Sequence, residues 1–316
     1  MSQQLGSAVI GVGGNALITA KDRVSIAHQY EAVENSVRSI VDAHASGWRI
    51  VVTHGSGPQI GNVLQRSDVA AAEVITVPID YAGADIQGAL GYMFSKALAN
   101  EFNARGIDNK AVAVVTMVVV DAADPAFADP SKPIGPFFDE SGAKDRARRF
   151  GWVVKEDSGR GWRRFVPSPE PLEIVEADQI LKLVQCGFTV VACGGGGIPV
   201  SIDADGRMKG IEAVVDKDLA SSLLATRLGA DVLLLSTGVP RVAVDFGTPD
   251  QRWLDTLTIA EAQRLLDEEQ FDPGSMGPKV EAMLRFLENG GRRGVITDPA
   301  NVGAALAGTA GTQFVV

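Results

Sequence analysis

The sequence predicts an α/β protein whose central sheet is parallel and buried on both faces. Three observations point there. Short β-branched runs alternate with longer helical patterns along nearly the whole chain, the runs are continuously apolar rather than alternating, and glycine-rich turns follow several of them. The order begins with a strand at Ala8 to Val12 and a helix at Tyr30 to Ser46. A strand at Trp48 to Thr53, a helix at Pro58 to Ala72 and a helix at Gln87 to Arg105 follow. Next come a strand at Lys110 to Val120, a helix at Ala177 to Gln185, a strand at Thr189 to Ala192 and a helix at Ala220 to Leu228. The pattern closes with strands at Val232 to Ser236 and Gly294 to Thr297 and helices at Ile259 to Glu268 and Val280 to Asn289. Ser201 to Gly210 reads as a hairpin because Asp205-Gly206 is a strong turn signal.

In parallel sheets ligands sit beyond the carboxyl ends of the strands. The glycine turns fall there: Gly13-Gly14-Asn15, Gly55-Ser56-Gly57-Pro58, Gly194 to Gly197 and Thr237-Gly238. Turns that leave backbone N–H groups free, gathered on one sheet edge, make an anion-binding crevice.

Composition narrows the function. A chain of 316 residues, 46% hydrophobic, can bury a large core. Its net charge of −10 argues against a nucleic-acid or anionic-membrane partner, which would need a basic surface. The two cysteines, Cys186 and Cys193, match neither a zinc pattern nor a disulfide framework, so a reducing cytoplasm is expected. The start of the chain has no basic and apolar leader pattern, and no stretch is long and apolar enough to span a bilayer.

Glu212-Ala-Val-Val-Asp-Lys-Asp218 carries the sharpest chemical signal. Charges of both signs at a helix start cost desolvation and are offset by a charged ligand or a metal. Asp121 to Pro171 breaks the strand–helix alternation with prolines, charges and aromatics. An insertion of that length at a strand end reads as a small subdomain over the crevice, acting as a lid, with a dimerisation arm as the other reading.

Taken in order, several motifs resemble the carbamate kinase branch of the amino acid kinase family. They are Gly13-Gly-Asn-Ala16, Thr53-His-Gly-Ser-Gly-Pro-Gln59, Lys132-Pro-Ile-Gly-Pro-Phe137, Lys155-Glu-Asp-Ser-Gly-Arg-Gly-Trp-Arg163 and Val166-Pro-Ser-Pro169. Gly194-Gly-Gly-Gly-Ile-Pro199, Glu212 to Asp218, Gly247-Thr-Pro-Asp250 and Pro273-Gly-Ser-Met-Gly-Pro-Lys279 continue the likeness, which covers nearly the whole chain. The resemblance implies an open αβα sandwich, a homodimer, and reversible phosphoryl transfer between ATP and carbamate with Mg2+. It implies an acceptor lobe over residues 1–205, including the lid at about 121–171, and a nucleotide lobe over 206–316.

Phosphoryl transfer needs positioning and charge neutralisation more than covalent participation. Lys217 and Lys279 are expected to carry positive charge to the moving phosphoryl group, Asp216 to orient the lysines, Asp218 to assist as a supporting partner, and Lys132 to close over the site. The N–H groups of Gly13, Gly14, Gly55 and Gly57, with Asn15 and Ser56, are expected to hold anionic ends. Thr237, Gly238, Val239, Met276 and Lys279 are expected around ATP or ADP. No protein metal ligand is assigned. His54, and the tryptophans Trp152 and Trp162, read as structural.

The chain departs from the family pattern at Ser56, Tyr81, Ala82, Asp85 and Pro240. A carboxylate at Asp85 in an acceptor pocket would suit an N–H-rich end, so a different small carboxylate, ureido or guanidino acceptor stays open beside carbamate. A nucleotide-binding sensor without turnover is the remaining reading.

Overall fold

A computed structural model describes residues 5–17, 25–157 and 159–316; the side chains of Asn15 and Ala16 lie outside the described residues. Strand Gly6–Val12 lies near the middle of an eight-stranded sheet. On one side it pairs in parallel with Trp48–His54, then come Thr189–Val191 and Ala111–Ala113; on the other it pairs in parallel with Val232–Ser236, then Arg293–Thr297. Thr312–Val315 is antiparallel to Arg293–Thr297 and is followed by Thr256–Thr258, so the sheet is mainly rather than wholly parallel.

Side chains in a strand alternate between faces, and the core divides accordingly. Ala8, Ile10 and Val12 join one cluster with Val33, Val37, Phe94, Leu98 and Phe102, from helices Ile26–Ala45 and Ile79–Arg105. Val9, Val51, Leu233 and Leu235 join the other with Ile180, Leu224, Val280 and Phe286, from helices Ala177–Gln185, Lys217–Leu228 and Met276–Glu288. Helices therefore cover both faces, which is why the strands read as unbroken apolar runs.

The run Lys110 to Val120, read from sequence as one strand, is two. Ala111–Ala113 joins the main sheet, whereas Met117–Val119 joins a second, four-stranded sheet with Ile198–Ile202, Met208–Gly210 and Glu173–Ile174. The break falls at Thr116, whose backbone is held on both sides by the Gln87 amide, N–H to Oε1 at 2.7 Å and Nε2 to O at 3.0 Å. Ile198–Ile202 and Met208–Gly210 pair antiparallel around Gly206, as the hairpin signal predicts.

Within the segment 121–171, residues 132–166 build a small sheet-and-helix unit. A three-stranded antiparallel sheet of Lys132–Phe138, Trp162–Val166 and Val153–Glu156 carries helix Glu140–Phe150. Trp152 is buried in it and donates to Asp68 at 2.9 Å, in keeping with a packing role.

Candidate active site

The four glycine turns follow strands that stand side by side in the sheet, in the order Val232–Ser236, Gly6–Val12, Trp48–His54, Thr189–Val191. Because these strands are parallel, all four turns open at one sheet edge. Their backbones touch. A Cβ on Gly55 would lie 2.7 Å from the Gly14 nitrogen, closer than real Cβ contacts, so only a glycine at 55 allows the first two turns to meet. The Gly194 turn is bound from a third side by the Gln87 amide, which donates to the Gly194 carbonyl at 3.0 Å.

Helix Gly57–Val69 begins at the second turn with Pro58 in its first turn, and its free N–H groups point into the crevice. Helix Lys217–Leu228 begins beside it. Its N-cap is Asp216, whose Oδ1 accepts from the N–H of Asp218 at 2.8 Å and of Leu219 at 3.3 Å. Inside the first turn, Lys217 and Asp218 are buried, and the Lys279 ammonium, from the first turn of helix Met276–Glu288, bonds Asp218 Oδ2 at 2.9 Å. Lys217 Nζ is paired with Asp218 Oδ1. Asp218 thus lies between both lysines.

Of the lysines Asp216 is expected to orient, it meets Lys132 by contact and not Lys217. Its carboxylate caps the helix through Oδ1 and pairs with Lys132 through Oδ2. The residue that sequence reasoning undervalued is Asp218. Its signal was present, since position N2 of a helix is where an acidic side chain complements the dipole, but only the arrival of Lys279 identifies it as the shared counter-ion.

Burial alone would raise the Asp218 carboxyl, but the ammonium groups of Lys217 and Lys279 reverse this and hold it far below the usual range. Burial lowers Lys217, with the attraction of Asp218 opposing and the nearby charge of Lys279 assisting the fall. For Lys279, burial is outweighed by Asp218 and its pKa is raised. Among the described residues, two buried hydroxyls of this region, Ser56 Oγ and Ser236 Oγ, have no hydrogen-bond partner. Unpaired polar atoms are costly inside a protein, and two free hydroxyl donors at a strand-end crevice suit a ligand carrying negative charge.

A buried hydroxyl chain ties the two halves of the site. Ser221 donates to the Lys217 carbonyl at 2.7 Å, which leaves Thr53 to donate to Ser221 Oγ at 2.6 Å. Strand Trp48–His54 is thereby fixed to the first turn of the lysine-bearing helix. His54 is buried and stacked on Phe94 with ring centroids 5.4 Å apart, and burial lowers its pKa to about 4. A neutral, stacked imidazole is structural here. Thr237, Gly238 and Val239 follow Val232–Ser236, with the Thr237 N–H on the Thr297 carbonyl at 2.8 Å; Met276 opens the helix that carries Lys279.

Asp85 does not join the crevice. It is exposed, and it lies roughly 200° around helix Ile79–Arg105 from Gln87, the residue that faces the Gly194 turn. Sequence alone did not reveal which face of this helix looks inward, and the exposed stripe Tyr81, Asp85, Ala89, Tyr92 is the outer one. Ser56, by contrast, is buried against Gly195 at the second turn.

The amino acid kinase family model matches residues 7–298. The carbamate kinase of Pyrococcus furiosus is 46% identical over 307 residues, covering 96% of this chain and 98% of that one. Among solved structures, carbamate kinase from Giardia lamblia bound to citric acid superposes with a TM-score of 0.94 at 38% identity, over 100% of this chain and 99% of that one. The same enzyme bound to AMP-PNP gives 0.91 at 39%, over 100% and 99%. With a sandwich of the same architecture and nearly full-length likeness, the chain belongs to the amino acid kinase family, in its carbamate kinase branch.

Proposed function

We propose that the protein catalyses reversible transfer of a phosphoryl group between ATP and carbamate. The observation that carries this reading is the buried Lys217–Asp218–Lys279 triad at the floor of a crevice built from glycine turns and helix N-termini. Such an arrangement offers fixed positive charge to a group whose negative charge spreads over several oxygens in transit. The Gly13, Gly14 and Gly57 N–H groups hold the acceptor and the transferred phosphoryl; the Gly55 N–H, expected from sequence to join them, is spent on the Val12 carbonyl at 2.9 Å and shapes the turn instead. Thr237, Gly238, Val239 and Met276 border the nucleotide. Lys132, at the start of the first subdomain strand, reaches the same crevice through Asp216. The acceptor side spans residues 1–205, with 121–171 as a lid, and the nucleotide side spans 206–316. The AMP-PNP complex of the Giardia relative supports use of ATP and ADP.

Magnesium, when bound with the nucleotide, would supply charge neutralisation on its phosphates. Among the described residues no group of three or more His, Cys, Asp or Glu stands together to hold a metal, and Asp216 and Asp218 are engaged with lysines. That donor set fits a cation carried in mainly by substrate phosphates and water, as Mg2+ commonly is.

With Asp85 outside the crevice, the main ground for a different acceptor falls away. ATP formation from ADP and carbamoyl phosphate, followed by a coupled enzyme, is the direct measurement. Turnover is expected with carbamoyl phosphate; absence of ATP formation from carbamoyl phosphate overturns the reading.

The pH profile is a second test. A lysine whose charged form is disfavoured by burial loses its proton at a lower pH than a free one, so the rate is expected to fall as pH rises through that point. The free-enzyme profile of kcat/KM should therefore bend down below 10.5, the ordinary lysine value. A flat profile up to that pH contradicts a required Lys217 ammonium.

Val69, Val74, Ile75, Tyr81 and Tyr92 are large apolar side chains left exposed near and along helix Ile79–Arg105, and they support association with a second copy of the chain. No helix among the described residues is long and apolar enough to cross a membrane. Among the described residues Cys186 is an exposed and Cys193 a buried free thiol.

A further inference from the structure

Lys132 can act in the crevice only if its strand is held at the right height above it. Three residues along, Gly135 has φ +73, in the left-handed region, and the pairing register with Trp162–Val166 shifts between Ile134 and Phe138. The strand therefore bulges at Gly135. Its backbone rests directly on helix Gly57–Val69, because a Cβ on Gly61 would overlap the Gly135 Cα and nitrogen. That helix is the one whose N-terminus opens on the crevice.

The Gly135 carbonyl is taken by a side chain. Arg163 donates to it twice, from Nε at 3.2 Å and from Nη2 at 2.9 Å. Arg163 is 9% exposed, and its third donor, Nη1, meets Asp157 Oδ2 at 3.2 Å. Asp157 also accepts from Arg160 at 3.0 Å. A planar fork with its own counter-ion thus grips the bulge at its carbonyl while Gly61 meets its Cα and nitrogen. No other side-chain type offers that two-donor geometry.

We infer that Arg163 is a positioning residue for phosphoryl transfer: by clamping the Gly135 bulge against helix Gly57–Val69, it sets where Lys132 stands over the crevice. Arg163 does not itself touch the reacting groups. The inference rests on the phosphoryl-transfer reading and adds to it a residue that acts only through another.

The test uses Arg163→Lys, which keeps the cation beside Asp157 but cannot reproduce the fork, alone and combined with Lys132→Met. Misplacing a catalytic group by about 1 Å costs on the order of 10- to 10²-fold in rate. Arg163→Lys is expected to lower kcat with carbamoyl phosphate by that factor and to leave the dissociation constant for ADP unchanged. In the Lys132→Met background the same substitution should change kcat less than about 2-fold, because coupled residues are not additive. A second readout needs no turnover. Pulse acetylation of Lys132 with acetic anhydride, quantified by mass spectrometry against exposed Lys182, should rise several-fold in Arg163→Lys. If the wild type transfers nothing from carbamoyl phosphate, the functional reading fails and the labelling alone decides the role of Arg163. Unchanged Lys132 labelling, or an equal loss of kcat in both backgrounds, overturns the inference. Should Arg163→Lys fail to fold, Asp157→Asn, which removes the charge that orients the fork, is measured in the same two ways and judged by the same outcomes.

Discussion

Lys217→Ala is expected to lower kcat by ~10²-fold or more while the protein stays folded, since one preorganised donor at a developing charge is worth roughly 3–4 kcal/mol. Lys217 Nζ is buried and paired with Asp218, a carboxylate that Lys279 also holds. Removing it leaves Asp218 with a counter-ion, because Lys279 still donates to Oδ2. The measurements are kcat by coupled ATP formation and the thermal midpoint. A rate near that of the wild type would remove Lys217 from the catalytic group.

Asp218→Ala is expected to have the larger effect, on the order of 10³-fold in kcat, because it disturbs two preorganised donors at once. The carboxylate lies between the Lys217 and Lys279 ammonium groups, and without it two buried positive charges face each other unshielded. Breaking a buried pair by removing one partner also costs roughly 3–5 kcal/mol of stability, so the thermal midpoint should drop as well. Asp218→Asn keeps the size and one acceptor oxygen and separates the two effects: it should fold better than Asp218→Ala yet remain slow. Asp216→Ala serves as the contrast. It loses a helix cap, worth about 1 kcal/mol, and the Lys132 pair, but leaves the triad in place. If Asp216→Ala proves slower than Asp218→Ala, the assignment of Asp218 as the shared counter-ion is wrong.

What sequence could and could not reveal divides along a physical line. Strand and helix types along most of the chain follow from local periodicity, and helix Ala177–Gln185 and strand Val232–Ser236 appear with the expected bounds. The glycine turns were legible because their position after apolar runs is itself a sequence property. The assignment of partners was not. Whether Asp216 or Asp218 faces the lysines depends on helix phase and on where Lys279, 61 residues from Asp218, comes to rest. The same limit applies to Asp85, whose helix has apolar residues on more than one side, and to Lys110–Val120, where a glutamine from another helix interrupts an apparently continuous strand. Short strands such as Val242–Val244 and Thr256–Thr258 carry too few residues for a period to register.

The two oxygens of Asp216 do separate work. Oδ1 is committed to the amides of Asp218 and Leu219, and Oδ2 alone receives Lys132. Withdrawal of Lys132 would therefore leave the cap of helix Lys217–Leu228 intact.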